Sequence, residues 1–236
     1  MRLGNNCAIF ALCTLLGAVS GTASAASLSF TGTFAGDDQL EIFSFVAGPG
    51  SAILRTWGYA GGTNANGMVI SSGGFDPVLS LFGPGPSLLS STDLLNFNND
   101  GGPLVPADPA SFEHFDSLIN SSAVPIVLNP GATYFLVLSV SDNIPLTNKY
   151  GGGFSEQGNG NFTGPLYGCG PAPFCDIDVD QRNGNWAVDI TGVEAAVDLS
   201  GSSPTVPEPS TFWTLGCAAA LGLALHRTVS RRKVCR

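Results

Sequence analysis

The segment at 28–34 reads Leu28-Ser29-Phe30-Thr31-Gly32-Thr33-Phe34, in which apolar side chains alternate with small polar ones. A period of two places one face of an extended strand against a core and the other toward water. The segment at 40–46, Leu40-Glu41-Ile42-Phe43-Ser44-Phe45-Val46, also predicts a strand with one apolar face. Both segments therefore predict a chain that folds from strands.

Short apolar runs continue this pattern and are separated by Gly, Pro, Asn and Asp about every ten residues. They lie at 52–57, 77–82, 125–128, 133–140 and 186–190. No stretch of the sequence between these runs keeps a helical period. The sequence predicts an all-β domain, with a β-sandwich of jelly-roll-like connections preferred over a closed barrel.

The N-terminus has the three parts of a secretory signal peptide. Arg2 supplies a positive charge, residues 7–19 form an uncharged apolar run, and Ala23-Ser24-Ala25 is a small-x-small cleavage site. An uncleaved anchor is the alternative, but this run is shorter than the roughly 20 residues that a spanning helix needs. We expect a signal peptide at 1–25, cleavage between Ala25 and Ala26, and one domain at 26–203.

Residues 204–236 combine three features in a fixed order. The motif Val206-Pro207-Glu208-Pro209-Ser210 is followed by an apolar stretch at 211–225 and by five basic residues within 227–236. Proline is excluded from a helix interior, so we expect a single transmembrane helix to begin after the motif, with Ser210 as its N-cap. Basic residues favour the cytoplasmic side, which leaves the domain outside the inner membrane. The short span indicates transient insertion.

This order of features resembles the PEP-CTERM sorting tail of Gram-negative bacteria. The resemblance implies recognition by an exosortase-type membrane protease and cleavage near Pro207-Glu208-Pro209. It also implies secretion or attachment at the cell surface, often in bacteria that make extracellular polysaccharide and biofilm matrix. A plain single-pass anchor is the alternative.

Three parts of the domain resemble the bacterial pre-peptidase C-terminal domain, a β-sandwich module of secreted proteins. They are 34–45, 75–82 together with 98–102, and 131–140, whereas 141–198 matches no part of it. Some members of that family bind calcium at one end of the sandwich, which implies calcium ligands here. The residues concerned are Asp37, Asp38, Asp76 and Asp100. The alternative is that Asp and Asn before Gly only form turns.

A second candidate for calcium binding is the alternating set Asp176, Asp178 and Asp180. Calcium takes six to eight oxygen ligands, and three carboxylates on alternate residues repel one another without a cation. The spacing does not fit an EF-hand loop. A solvated acidic face is the alternative.

Charge is unevenly distributed along the chain. Residues 26–206 contain seventeen acidic residues and three basic ones, Arg55, Lys149 and Arg182, for a net charge of −14. Such a domain repels phosphate backbones, which argues against nucleic-acid binding. The acidity either attracts divalent cations or keeps an exported protein soluble.

Of the six cysteines, Cys169 and Cys175 lie within the domain, in a C-x5-C spacing across a turn-rich stretch. Export to an oxidising compartment favours a disulfide between them. Two thiols are too few for a tetrahedral zinc site and lack the C-x2-C spacing of redox motifs. We therefore predict a local disulfide.

Few residues indicate catalysis. His114 is the only histidine before the tail, and the sequence has neither a G-x-S-x-G nor an H-E-x-x-H motif. We predict a non-enzymatic exported cell-surface or extracellular-matrix protein without catalytic residues. One alternative is a carbohydrate-binding module for exopolysaccharide, with Tyr150 and Tyr167 as candidate contacts beside Gly- and Asn-rich loops. A second alternative is an extracellular hydrolase built on two carboxylates.

Overall fold

The structure is a computed structural model that describes residues 25–87, 92–123 and 126–201. The described residues form ten strands, two short 3-10 turns at Gly102–Leu104 and Tyr150–Gly152, and one short helix, α1 (Thr163–Tyr167). The strands are β1 (Ala26–Thr33), β2 (Glu41–Ala47), β3 (Ile53–Thr56), β4 (Gly62–Thr63), β5 (Val69–Ile70), β6 (Pro77–Phe82), β7 (Leu94–Asn98), β8 (Leu118–Asn120), β9 (Thr133–Val140) and β10 (Asn185–Asp198). The predicted all-β class is confirmed.

The apolar patterns located β1, β2, β3, β6 and β9 closely, but they missed the short strands β4, β5, β7 and β8. They also ended β10 at Ile190, whereas the strand runs on to Asp198. The predicted strand at 125–128 is wrong, because 126–128 has no strand pairing and 124–125 lies outside the described residues. In the described part of the chain, no helix is long and apolar enough to cross a membrane.

Eight strands form one antiparallel sheet in the order β7-β6-β9-β2-β10-β3-β8, with β1 also paired to β10. β2 and β3 lie end to end along one edge of β10, since Val193 pairs with Ala47 and Thr191 with Ile53. β1 lies along the opposite edge of β10. The backbone N–H of Leu118 in β8 donates to Asn98 Oδ1 in β7 at 2.8 Å, so the sheet nearly closes on itself.

Two glycines allow the sheet to turn where β2 gives way to β3. A Cβ on Gly48 would lie 2.7 Å from the carbonyl oxygen of Gly192. Gly192 has φ of 77°, and the register of β10 against β2 shifts just after it, between Val193 and Ala195. A left-handed glycine beside a bulge bends a strand sharply. The long strand β10 thereby serves both β2 and β3.

The interior is filled by the side chains that face inward from seven of these strands. Its fully buried members include Phe30, Phe43, Leu54, Leu81, Ile119, Leu136 and Val188. Burying one such side chain stabilises the fold by about 1.5–3 kcal/mol. The core therefore holds both parts of the sheet together.

A second apolar cluster lies on the outer face of β6 and β9. Phe82, Phe135, Val137 and Phe154 form its buried centre, and Tyr150 packs against it. Phe154 and Tyr150 belong to the segment that follows β9. This segment is therefore packed onto the sheet before it continues into the loops described below.

Candidate functional site

The long connections of the domain meet at one end of the sheet, which we call the loop end, formed by 34–40, 57–76, 99–117 and 141–184. Hydrogen bonds join these connections, for example from Phe34 N to Gly184 O at 2.8 Å and from Ser141 N to Asp76 O at 2.8 Å. Twelve of the seventeen acidic residues between 26 and 206 lie in the four loops. Any ligand chemistry of the acidic groups is therefore concentrated there.

Asp37, a predicted calcium ligand, is fully buried and positions helix α1. Its Oδ1 accepts the backbone N–H groups of Asn161 at 2.6 Å and Phe162 at 3.2 Å, and its Oδ2 accepts the N–H and hydroxyl of Thr163 at 2.8 and 2.5 Å. A carboxylate at the first turn of a helix satisfies donors that have no partner within the helix. Both oxygens of Asp37 are thus occupied by the protein itself.

Asp176 is likewise buried and occupied. Its Oδ1 accepts the backbone N–H groups of Asp178 at 3.1 Å and Asp180 at 2.9 Å, which curls the segment into a turn. Its Oδ2 accepts the Tyr59 hydroxyl at 3.0 Å and Arg182 Nε at 2.8 Å. Asp178 and Asp180 are exposed. The three alternating carboxylates therefore do not converge on a metal-ion site, since two of them face Arg182 instead.

Arg182 forms a buried ion network between three loops. Its Nη1 lies 3.2 Å from Asp108 Oδ2, and its guanidinium stacks 4.1 Å from the centre of the Tyr59 ring. Burial opposes charge on Asp108, but hydrogen bonds from Ser111 and Arg182 outweigh it and lower the pKa of Asp108. Asp180 Oδ2 lies 3.5 Å from the same guanidinium. The network ties 59, 108–111 and 176–182 together.

Asp76 is buried at the start of β6, near Asp100 at the end of β7. Burial raises the pKa of Asp76 well above its ordinary value, and the charge of Asp100 adds to the effect while a bond from Ser141 opposes it. Asp76 Oδ1 and Asn99 Oδ1 are buried and accept no hydrogen bond from any described residue. Burial and Glu113 raise the pKa of exposed Asp100. With only 6% of Asp76 exposed, a polymer cannot reach it as a general acid.

The predicted calcium ligands in the described ranges do not assemble into one metal site. Asp38 is half-buried on the loop after β1, and its carbonyl oxygen accepts Asn143 Nδ2 at 3.2 Å. Across the described ranges, no group of three or more His, Cys, Asp or Glu side chains is arranged to hold a metal ion. The geometry gives the calcium prediction no support.

Two buried acidic residues that the sequence did not single out fix the segment after β3. Asp116 accepts the Thr56 hydroxyl at 2.8 Å and the N–H of Ala60 at 2.9 Å. Asp189 accepts Trp57 Nε1 at 2.6 Å and the N–H of Ala65 at 2.8 Å. A carboxylate within the apolar run 186–190 was the one available indication that Asp189 is buried and bonded.

The aromatic and histidine candidates lie in different environments. Tyr150 packs edge-on against Phe82 at 5.9 Å and is partly buried against the outer apolar cluster, so part of its ring is not available to a sugar. Tyr167 is half-buried and its hydroxyl donates to Asp142. His114 Nδ1 lies 2.7 Å from the carbonyl oxygen of Val105. All three residues are partly buried.

A groove of about 340 Å³ lies along the segment 156–166. Glu156, Asn159 and Asn161 form its polar side, exposed Pro165 and Leu166 form its apolar side, and Phe162 lies at its base. Asn159 Nδ2 donates to Glu156 Oε2 at 2.6 Å, and Asn143 Oδ1 accepts the N–H of Glu156 at 3.0 Å.

The groove is held in shape from behind. Asp37 binds the backbone of its residues 161–163, and a disulfide joins Cys169 to Cys175 with a Cα–Cα distance of 6.0 Å. The N–H of Cys175 donates to the Thr163 hydroxyl at 3.1 Å. A rigid, preformed surface binds a ligand with less loss of conformational freedom than a mobile one.

The sequence matches no protein-family model and no curated protein. The two resemblances noted above therefore remain interpretations of motifs. The sorting motif at 206–210, the helix at 211–225, the basic cluster at 227–236 and the leader before Ala25 lie outside the described residues.

Proposed function

We propose that this protein is a non-enzymatic cell-surface or extracellular-matrix protein of a Gram-negative bacterium, exported across the inner membrane and processed by an exosortase-type protease. The observation that carries the proposal is the pairing of a leader at 1–25 with the Pro207-Glu208-Pro209 tail. Ala26 begins β1, and β10 ends at Asp198. Loss of both ends would thus leave every strand of the described residues intact.

The disulfide supports an oxidising destination for the domain. Such bonds persist in exported proteins and are rare in the reducing cytosol. The bond closes the loop between Cys169 and Cys175 directly behind α1. Its position fits a protein that folds after export.

For the fold itself, we propose a β-sandwich with jelly-roll-like connections, as in the pre-peptidase C-terminal domain. The support is the bend of the sheet at Gly48 and Gly192. It divides the strands beside β10 into one group with β2 and β9 and another group with β3 and β8. The near closure between β7 and β8 is the feature that a barrel would share.

The processing step is tested by expressing the full chain with and without an exosortase and measuring the intact mass of the released protein. We expect a fragment that ends near the motif, only when the protease is present. The double variant Pro207→Ala, Pro209→Ala should stay in the membrane fraction, whereas Pro204→Ala, just outside the motif, should be processed normally. Equal release of all three proteins would contradict the proposal.

The groove at 156–166 favours a second candidate function, binding of neutral carbohydrate. Glu156 and Asn159 are already hydrogen-bonded to each other. Their remaining carboxylate and amide atoms can accept hydrogen bonds from sugar hydroxyls and donate hydrogen bonds to them. The apolar side at Leu166 can contact the carbon face of a ring. The net charge of −14 between 26 and 206 disfavours anionic polymers.

Binding is tested by calorimetric titration of the protein with neutral oligosaccharides and, in parallel, with uronic-acid oligosaccharides. We expect saturable binding of the neutral ligands, weakened about tenfold by Asn159→Ala, which corresponds to a loss of about 1.4 kcal/mol. Val127→Ala, an 83% exposed position outside the groove, serves as the control. Lack of saturable binding below millimolar sugar would eliminate this function.

A further inference from the structure

The end of the described domain is held against β2 by a small set of hydrogen bonds. The N–H of Leu199 donates to the carbonyl oxygen of Ile42 at 2.8 Å, and the N–H of Ile42 donates to Ser200 Oγ at 3.2 Å. Asp198 Oδ1 accepts the N–H groups of Ser200 at 2.7 Å and Gly201 at 3.3 Å. Residues 198–201 are therefore fixed beside the start of β2.

Two carboxyl groups meet at this point. The bonds of Leu199 and Ser200 to Ile42 bring Asp198, the last residue of β10, beside Glu41, the first residue of β2, close enough for their carboxyl groups to interact. Carboxylates only accept hydrogen bonds when ionised, so a bond between two carboxyl groups requires a proton on one of them. Glu41 Oε1 is buried and accepts no hydrogen bond from the described residues. The contact therefore depends on protonation.

Among the described residues, no positively charged side chain lies beside the pair to offset two ionised carboxylates. β9, which pairs with β2 at Glu41, contains no Asp, Glu, His, Lys or Arg. The β1–β2 loop adds only the acidic residues Asp37 and Asp38, and the same half of β10 adds Glu194. The described basic residues lie elsewhere: Arg55 stacks on Trp57, Arg182 is in the loop-end network, and Lys149 pairs with Asp93.

Burial, together with the interaction with Asp198 and its charge, raises the pKa of Glu41 to about 7 against the opposing bonds from Ser200 and Ile42. When the segment opens, Glu41 returns toward its ordinary value of 4.5. Because its pKa is raised in the closed form, Glu41 stabilises that form fully below its ordinary pKa of 4.5. This stabilisation is lost as the pH rises toward 7.

We propose that Glu41 and Asp198 form a proton-dependent clasp that holds residues 198–201 against β2 and controls the reach of the processing motif at 206–210. The second half of this statement rests on the proposed function. Four residues separate Gly201 from Val206, so five Cα–Cα steps span at most about 17 Å, and release back to Val197 gives nine steps and about 31 Å. Opening above neutral pH therefore nearly doubles the maximum distance between the motif and the sheet.

The clasp is tested by hydrogen exchange and mass spectrometry on the full chain, purified from a host that lacks the protease. Protection of the amides of 199–201, corrected for the intrinsic effect of pH, should fall by up to about tenfold between pH 6 and pH 8. Glu41→Gln, whose amide donates to Asp198 at any pH, should keep these amides protected throughout. Glu194→Gln, at an exposed position of β10, the strand that ends at Asp198, should behave as the wild type.

Equal protection of the wild type at pH 6 and pH 8 would overturn the clasp, whether or not Glu41→Gln folds. So would the same loss of protection in Glu41→Gln as in the wild type. Processing is measured separately, as the rate of cleavage in an exosortase-containing host at the two pH values. Cleavage without pH-dependent protection refutes the clasp alone, while pH-dependent protection without any cleavage supports the clasp and refutes the proposed processing.

Discussion

Replacing Arg182 by methionine should strongly destabilise the domain, because it leaves two buried carboxylates without their cation. The side chain of Arg182 is 6% exposed, that of Asp108 is 1% exposed, and that of Asp176 is fully buried. Removing one partner from a buried ion pair costs about 3–5 kcal/mol, since the remaining charge keeps its desolvation penalty. The variant also loses the stacking of the guanidinium on Tyr59.

The assay is urea unfolding followed by tryptophan fluorescence, with a parallel thermal melt. For a domain of 150–250 residues, each kcal/mol shifts Tm by about 2–4 °C, so we expect Tm to fall by about 6–20 °C. The control Lys149→Met removes an exposed ion pair with Asp93 and should cost less than about 1 kcal/mol.

A triple variant distinguishes loss of the cation from loss of packing. In an Asp108→Asn, Asp176→Asn background, Arg182→Met should cost clearly less than it does alone, because no buried charge is left unpaired. If Arg182→Met alone cost less than about 1 kcal/mol, or cost the same in both backgrounds, the argument from buried charge would be refuted.

Four further outcomes are expected. Asp37→Ala should destabilise the domain by about 3 kcal/mol in urea unfolding, because it leaves the buried donors at 161–163 unsatisfied. Reducing the Cys169–Cys175 bond should cost about 2 kcal/mol, measured by melting with and without dithiothreitol. Asp76, with its raised pKa, stabilises the fold when neutral, so stability should fall as pH rises above its ordinary pKa of 3.8, and Asp76→Asn should flatten this dependence in urea titrations. A chelator should leave Tm unchanged, since Asp37 and Asp176 are occupied by internal donors; a fall of several degrees would restore the calcium prediction.

Sequence patterns located those strands in which the apolar side chains follow the burial of the strand's two faces. β1 and β2 alternate because one face packs on the core. β6 and β9 are continuous apolar runs because the outer cluster covers their second face. β4, β5 and β8 have at most three residues each, too few to repeat a pattern.

The candidate site was less accessible from sequence because the partner of a carboxylate is not visible in the chain. Asp37 and Thr163 are 126 residues apart, yet they share two hydrogen bonds. The alternating Asp176, Asp178 and Asp180 indicated a cation, whereas Arg182 and backbone N–H groups occupy Asp176. Spacing identifies which residues can act as ligands, and tertiary contacts decide which of them remain available.

The sequence by itself determined the all-β class and the strong acidity of the domain, because periodicity and charge are local properties of the chain, while the domain boundaries at 26–203 stay a prediction from the terminal motifs. Only the tertiary structure decided that the acidic loops bind one another, that Tyr150 is part of an apolar cluster, and that Glu41 meets Asp198. The last of these joins residues 157 positions apart through the pairing of β2 with β10. Hydrogen-bonded pairing between distant strands fixes such contacts, and no single segment encodes both partners.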